Sequence, residues 1–335
     1  MAEAKPVVRG RDGSGAARAR RRVAALTLAA LLGGCAVGGP LSPPAPLGFA
    51  EADRARGDAT LPGAAGPLAA SIWRPEGAAR AVILAVHGYG DHAHGTYAEA
   101  AEYWAEAGIA TYAYDQRGFG RNPDHGFWPG DDGLIEDFAA AAAALRRAHP
   151  DLPLIAVGHS MGGGVVLAAM GEGRAPGVDA AVLAGPAING SAQAGPLSRI
   201  VAWSAAAVLP DRRWTGEGLV SFQASDDIDL LRRMAADPLH INTPSARELL
   251  GLIRVMDRAE AAAPRVSAPV LILHGERDEL VSLRGVRGIA ERMGAPLTVY
   301  PEGWHLLFGD LQKRVVWRDV ADFALSFAPS EPPTP

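Results

Sequence analysis

Several things that this sequence lacks narrow its reading first. A single cysteine, Cys35, stands among 335 residues, so the chain cannot build a disulfide framework of its own. A membrane-spanning helix needs about 20 consecutive apolar residues, and no such run occurs. Basic residues (32 Lys and Arg) are outnumbered by acidic ones (37 Asp and Glu), and no basic stripe follows residue 22. A nucleic-acid partner is therefore not expected. Glycine clusters such as "GFG" at 118–120 lack phosphate-loop spacing and a following Lys-Ser/Thr. His92 and His94 form an H-x-H, but no third ligand is placed nearby, so neither a metal nor another cofactor is expected.

What is present is an apolar, glycine-rich body: 48% hydrophobic residues, 21% charged, 40 glycines and 26 prolines. Short continuous apolar runs occur at 81–88, 109–115, 154–160, 180–186, 270–275 and 297–302. Continuity rather than alternation predicts strands buried on both faces. Helix-like stretches separate them: Thr96 to Ala107, Gly133 to His149, Met161 to Gly171, Ser245 to Ala263, Leu283 to Met293, and Gln312 to Phe327. Strand–helix repetition of this kind predicts an α/β fold, a mostly parallel sheet with helices on both faces. One interval, 189–244, breaks the rhythm without a buried strand and reads as a cap or lid inserted over the strand ends.

The beginning of the chain is different. "RARRRVAALTLAALLGGCAV" joins a basic cluster (Arg18, Arg20, Arg21, Arg22) to a short apolar run and then to small residues before Cys35. Basic, apolar and small-residue regions in this order are the parts of an export signal. "LGGC" resembles a bacterial lipobox, which would make residues 1–34 a lipoprotein signal and Cys35 the lipidated residue. The alternative is an ordinary cleaved signal with an incidental cysteine. Loss of 1–34 removes seven basic and two acidic residues, leaving 25 against 35, a balance of −10. Such a body would be repelled by anionic headgroups, so lipid chains would have to hold it at a membrane. Residues 35–49, rich in Pro and Gly, read as a tether, and 329–335 as a disordered tail.

The chemistry centres on "LIAVGHSMGGGVVLAAM", residues 154–170. A Gly-x-Ser-x-Gly pattern alone is a weak signal, expected by chance roughly 0.2 times in a chain of this composition. Here it follows a buried strand and opens a helix, the setting of a nucleophile elbow built on Gly158, His159, Ser160 and Gly162. The structural alternative is a turn whose serine only caps a helix. A serine nucleophile needs a base, and the base needs an orienting carboxylate. Downstream, "HGERDELV" offers Asp278 past a strand end, with Glu276 and Glu279 as rivals, and "PEGWHLLF" offers His305, the only histidine beyond it. The order Ser160, Asp278, His305 is the order this architecture requires. Oxyanion donors are then expected from the backbone N–H groups of Met161 and of Tyr89, in "HGYGDH". His87 and His274 are expected to hydrogen-bond the loops of Tyr89 and Asp278, His159 to pack under the elbow, and Asp115 and Arg117 to fix a turn.

"HGYGDHAHGTY", "YDQRGFG", "GHSMGG", "HGERDELV" and "EGWH" resemble, in order and spacing, the monoacylglycerol lipase and lysophospholipase branch of the α/β-hydrolases. "ADPLH" at 236–240 is similar to that branch's cap-to-core return. Phe119 stands where the branch often has histidine, and Asp91 where it usually has glutamate. The resemblance, over about residues 68–325, implies an eight-stranded sheet, a mobile helical cap, and core halves at 50–188 and 245–328. It further implies a serine enzyme cleaving single-chain lipid esters at a membrane face. By resemblance to other lipoproteins, Ala36 after the cysteine mildly favours sorting to the outer membrane of the bacterial envelope. The competing readings are a short-chain esterase, an acyltransferase, and a non-catalytic lipoprotein binding a lipid or a partner.

Overall fold

The computed structural model describes residues 59–188, 204, 207–213 and 222–329. The expected signal with Cys35, the tether, most of the first half of the insertion and the tail from 330 lie outside the described residues.

Eight strands form one sheet in the order β1-β2-β4-β3-β5-β6-β7-β8. They are β1 (Ala59–Gly63), β2 (Gly66–Trp73), β3 (Ala81–Val86), β4 (Ile109–Tyr114), β5 (Leu154–His159), β6 (Ala180–Ala184), β7 (Val270–Gly275) and β8 (Leu297–Tyr300). The pairs β1–β2 and β2–β4 are antiparallel; the six strands from β4 to β8 run parallel. Side chains of a strand alternate between faces, which explains why the central strands need apolar residues throughout. In β3, Val82, Leu84 and Val86 enter one apolar cluster, whereas Ala81, Ile83 and Ala85 enter the other.

Helices cover both clusters. On one face lie α1 (Ala93–Glu106) and the last helix, α7 (Lys313–Leu325), contributing Tyr97, Trp104, Val316, Trp317 and Val320. On the other lie α2 (Asp131–Ala148), α3 (Met161–Gly171), α5 (Ala246–Ala262) and α6 (Leu283–Met293). Within the insertion lies α4 (Ile228–Ala236), capped by Asp227, none of whose residues is buried; Ser204, Ala207 and Val208 are helical as well. No strand occurs among the described residues of that interval. No described helix is long and apolar enough to cross a membrane.

Two strands escaped the residue-level expectation. β1 and β2 are antiparallel, partly exposed and interrupted by Gly and Pro, so they show no continuous apolar run. Helix ends shifted by up to three residues; α1 starts at Ala93 because His92 caps it, accepting the Gly95 N–H on its ring.

Candidate active site

The parallel strands deliver three side chains to their carboxyl edge. Ser160 follows β5 directly and starts α3 with φ 49° and ψ −117°, the only positive φ among described non-glycine residues. A backbone conformation like this persists only where the surroundings enforce it. Crowding around the elbow does so. A β-carbon on Gly162 would lie 2.1 Å from the Val86 carbonyl oxygen, and one on Gly158 would lie 2.6 Å from Gly163 Cα. The strand-to-helix corner is thus too tight for a side chain at either Gly158 or Gly162, on the two sides of Ser160.

Asp278 follows β7, and His305 follows β8. His305 Nδ1–H donates to Asp278 Oδ2 at 2.8 Å, which leaves Nε2 to accept from Ser160 Oγ at 2.9 Å. The second Asp278 oxygen accepts the N–H groups of Leu280 and Val281 at 2.8 and 2.9 Å. Burial pushes the Asp278 carboxyl up, but the His305 ring, the Val281 N–H and the His274 ring prevail and hold it below the usual carboxylate range. Glu276 and Glu279 are exposed, and Glu279 accepts instead from Gln223 N–H at 2.8 Å.

Loops around the three are locked by buried polar groups. His87 accepts the Gln116 N–H at 2.8 Å on Nε2 and donates from Nδ1 to the Gly88 carbonyl at 2.7 Å, holding the loop of Tyr89. That loop runs against the elbow: a β-carbon on Gly88 would come within 3.3 Å of Ser160 Cβ. Met161 opens α3, so its N–H has no partner within the helix. His274 lies beside the loop of Asp278, whose Val281 backbone and Asp278 carboxylate favour its protonated form. Its Nε2 stays 3.9 Å from Asp278 Oδ2, beyond hydrogen-bond reach, and burial lowers its pKa. Asp115 accepts from Ala93 N–H, Arg121 N–H and Arg121 Nε–H, each at 2.8 Å, while Arg117 pairs with buried Asp137 through two bonds of 2.8 Å. Both fix the turn after β4 rather than face Ser160.

Two functional neighbours had no signal strong enough to single them out. Asp310, fully buried, accepts from Trp304 N–H and Ser225 Oγ–H, each at 2.7 Å, and so holds the loop that carries His305. Burial raises its pKa to about 6. Glu248, 2% exposed, accepts from the Tyr89 hydroxyl at 3.0 Å. In sequence each resembles an ordinary solvated carboxylate; only the Ser245-to-Glu248 capping spacing was readable.

His92 Nε2 bonds Asp237 Oδ2 at 3.1 Å, joining the start of α1 to the end of α4. Among the described residues no group of three or more His, Cys, Asp or Glu side chains is placed to hold a metal ion. A cavity of about 390 Å³ is bordered by His159 and Leu306, the sequence neighbours of Ser160 and His305, together with Leu230, Phe308, Asp91 and His240.

An eight-stranded sheet with a serine, a histidine and an aspartate linked in series at its carboxyl edge defines a serine hydrolase of α/β-hydrolase fold. The Hydrolase_4 family, described as serine aminopeptidase, S33, matches residues 77–312, and the chain belongs to it. Its curated relatives include the monoacylglycerol lipase of Mycolicibacterium smegmatis, 34% identical over 264 residues (76% of this chain, 91% of the relative). The human monoglyceride lipase is 25% identical over 249 residues (71% and 80%). Among solved structures, Paleococcus ferrophilus monoacylglycerol lipase matches 78% of this chain and 99% of its own with TM-score 0.66 at 23% identity. A soluble variant of the Saccharomyces cerevisiae monoglyceride lipase matches 88% and 100% with TM-score 0.69 at 17% identity, which supports the shared fold.

Proposed function

We propose that this chain hydrolyses carboxylic esters of single-chain lipids, of the monoacylglycerol or lysophospholipid kind, through an acyl-enzyme. The observation that carries the reading is the unbroken series Ser160 Oγ, His305, Asp278 at 2.9 and 2.8 Å. In the reaction, His305 Nε2 takes the Ser160 proton as Oγ attacks the ester carbonyl. Asp278 keeps Nδ1 protonated and stabilises the imidazolium. The protonated His305 then gives its proton to the leaving alcohol. Water, deprotonated by the same nitrogen, cleaves the acyl-enzyme and frees the acid. The N–H groups of Met161 and Tyr89 serve as oxyanion donors, each worth about 2.7–4 kcal/mol of barrier.

Lipid esters are favoured over peptides because the curated relatives above are named as monoglyceride lipases. The insertion would shelter the acyl chain. A lipid anchor on Cys35 would keep the enzyme at the envelope membrane where such substrates reside.

Fluorophosphonate labelling of the purified protein tests the reading directly. Modification at Ser160, together with hydrolysis of long-chain monoacylglycerols in preference to short soluble esters and aminoacyl anilides, is the expected result. An unlabelled serine would leave a binding protein. A profile that does not rise with chain length would leave a short-chain esterase, and acyl transfer to alcohols outrunning release to water would leave an acyltransferase.

A further inference from the structure

Tyr89 sits between Gly88 and Gly90, so the local backbone alone fixes its N–H loosely. Tertiary contacts supply what the backbone does not. The Gly90 carbonyl accepts from Ile241 N–H at 2.7 Å, and the Tyr89 ring packs edge-on against Phe119 with centroids 5.5 Å apart. The hydroxyl of the same side chain donates to Glu248 Oε2 at 3.0 Å.

Glu248 is buried in the first turn of α5, and its carboxylate gathers more than the phenol. It accepts the Ser245 N–H at 2.6 Å and the Arg213 guanidinium at 3.3 and 3.4 Å. Arg213 belongs to the insertion. Its backbone bridges to Ser245, and its side chain donates to the carbonyls of Thr243 and Gly126 at 2.8 and 2.6 Å. Helix capping requires only the Ser245 contacts and is satisfied equally by glutamine. Neither the phenol nor the guanidinium is needed for it. One buried anion therefore connects the loop beside Ser160, the insertion and α5.

We infer that Glu248 is a positioning residue: by holding the Tyr89 hydroxyl it aims the Tyr89 N–H at the developing oxyanion, and through Arg213 it ties that aim to the placement of the insertion. This rests on the reading of the Tyr89 N–H as an oxyanion donor. A tether that acts on the oxyanion affects the transition state and leaves ground-state binding alone. A shift of the insertion that loosens Arg213 from Glu248 then lowers turnover rather than affinity.

The test is a double-mutant cycle on p-nitrophenyl butyrate, a soluble ester too short to depend on the insertion for binding. Tyr89→Phe keeps the ring, and Glu248→Gln keeps the capping box, so both variants fold, as thermal melting checks. Each single change is expected to lower kcat about tenfold, a part of the 10²–10³ seen when an oxyanion donor is lost outright. KM should move by less than about threefold, and the double variant should be no slower than the slower single. Multiplying losses in the double, a loss confined to KM, or unchanged kcat in both singles overturns the inference. A wild-type protein that melts normally yet neither labels nor turns over overturns the hydrolase reading beneath it.

Discussion

His159 Nε2–H donates to the backbone carbonyl of His305 at 3.0 Å, and the two rings lie with centroids 5.2 Å apart. The residue before the nucleophile thus holds the main chain of the base. Strand β5 and the loop after β8 are fastened together at the point where proton transfer needs a fixed distance. Burial, with the neighbouring His305, pushes the His159 pKa down to about 4, so the ring is neutral near pH 7 and remains a single-proton donor.

A pH-dependent stability follows from that shift. The folded pKa of about 4 lies below the unfolded value of about 6.5, so in this window the unfolded chain binds more protons. The stability due to neutral His159 is fully present above pH 6.5 and declines as pH falls toward 4, by roughly 3 kcal/mol in all. Asp310 works in the opposite sense. Its folded pKa of about 6 lies above the usual value, so its contribution is present at low pH and fades as pH rises through 6. Urea unfolding between pH 4.5 and 7.5 of wild type and His159→Gln separates them. The variant should show a shallower loss on acidification, and equal slopes would contradict the assignment.

Replacing Asp278 by asparagine should reduce kcat by about 10⁴ with little change in KM. Asparagine can still accept the Leu280 and Val281 N–H groups, so the loop should keep its form. It can also present an N–H to His305, which would favour the tautomer that cannot take the Ser160 proton. Steady-state kinetics with an ester substrate, beside an unchanged melting temperature, checks this. Glu279→Gln, at an exposed position, should leave kcat within about twofold.

How much of this could be read from the chain alone depended on the kind of signal. Strands β3 to β7 were legible because burial on both faces forces unbroken apolar runs, β8 because the short run at 297–302 marks it although it is only half-buried, and α3 and α6 because strong boundaries delimit them. The antiparallel strands β1 and β2 were not, since half-exposed segments such as "ATLPG" carry no such constraint. Ser160, Asp278 and His305 were recoverable because each follows a legible strand. Glu248 and Asp310 were not, because partners of each come from segments distant in sequence, namely Tyr89 and Arg213 for Glu248 and Ser225 for Asp310. A lone carboxylate shows its burial only after the fold brings its donors.

The elbow should respond to volume more than to backbone freedom. In Gly162→Ala the added methyl would meet backbone oxygens of Val86 and His87 at 2.1 and 2.6 Å, and neither can yield without moving β3. A loss of at least 1–3 kcal/mol in stability, with kcat reduced more than tenfold, is the expected outcome. Gly173→Ala supplies the contrast. There φ is +73° and nothing lies within 4 Å, so only the left-handed backbone opposes the change, by about 1–2 kcal/mol, with kcat untouched. Denaturant midpoints and ester turnover on the two variants tell crowding from backbone strain.

Membrane retention should depend on one atom, the Cys35 sulfur. A body without residues 1–34 would carry 25 basic against 35 acidic residues and be pushed away from anionic headgroups, so electrostatic adsorption would work against binding. Salt weakens that repulsion within a Debye length of roughly 3 Å at 1 M. A protein held by acyl chains should therefore stay in the membrane fraction through a wash of about 1 M salt and leave it in detergent. Cys35→Ser should move the protein into the soluble fraction, abolish labelling by a radioactive fatty acid, and preserve turnover of a short soluble ester. Turnover of monoacylglycerol presented in vesicles should fall in the same variant, because the encounter frequency falls while the chemistry does not. Retention of the serine variant on membranes would mean that an apolar surface of the folded body, rather than a covalent lipid, makes the contact.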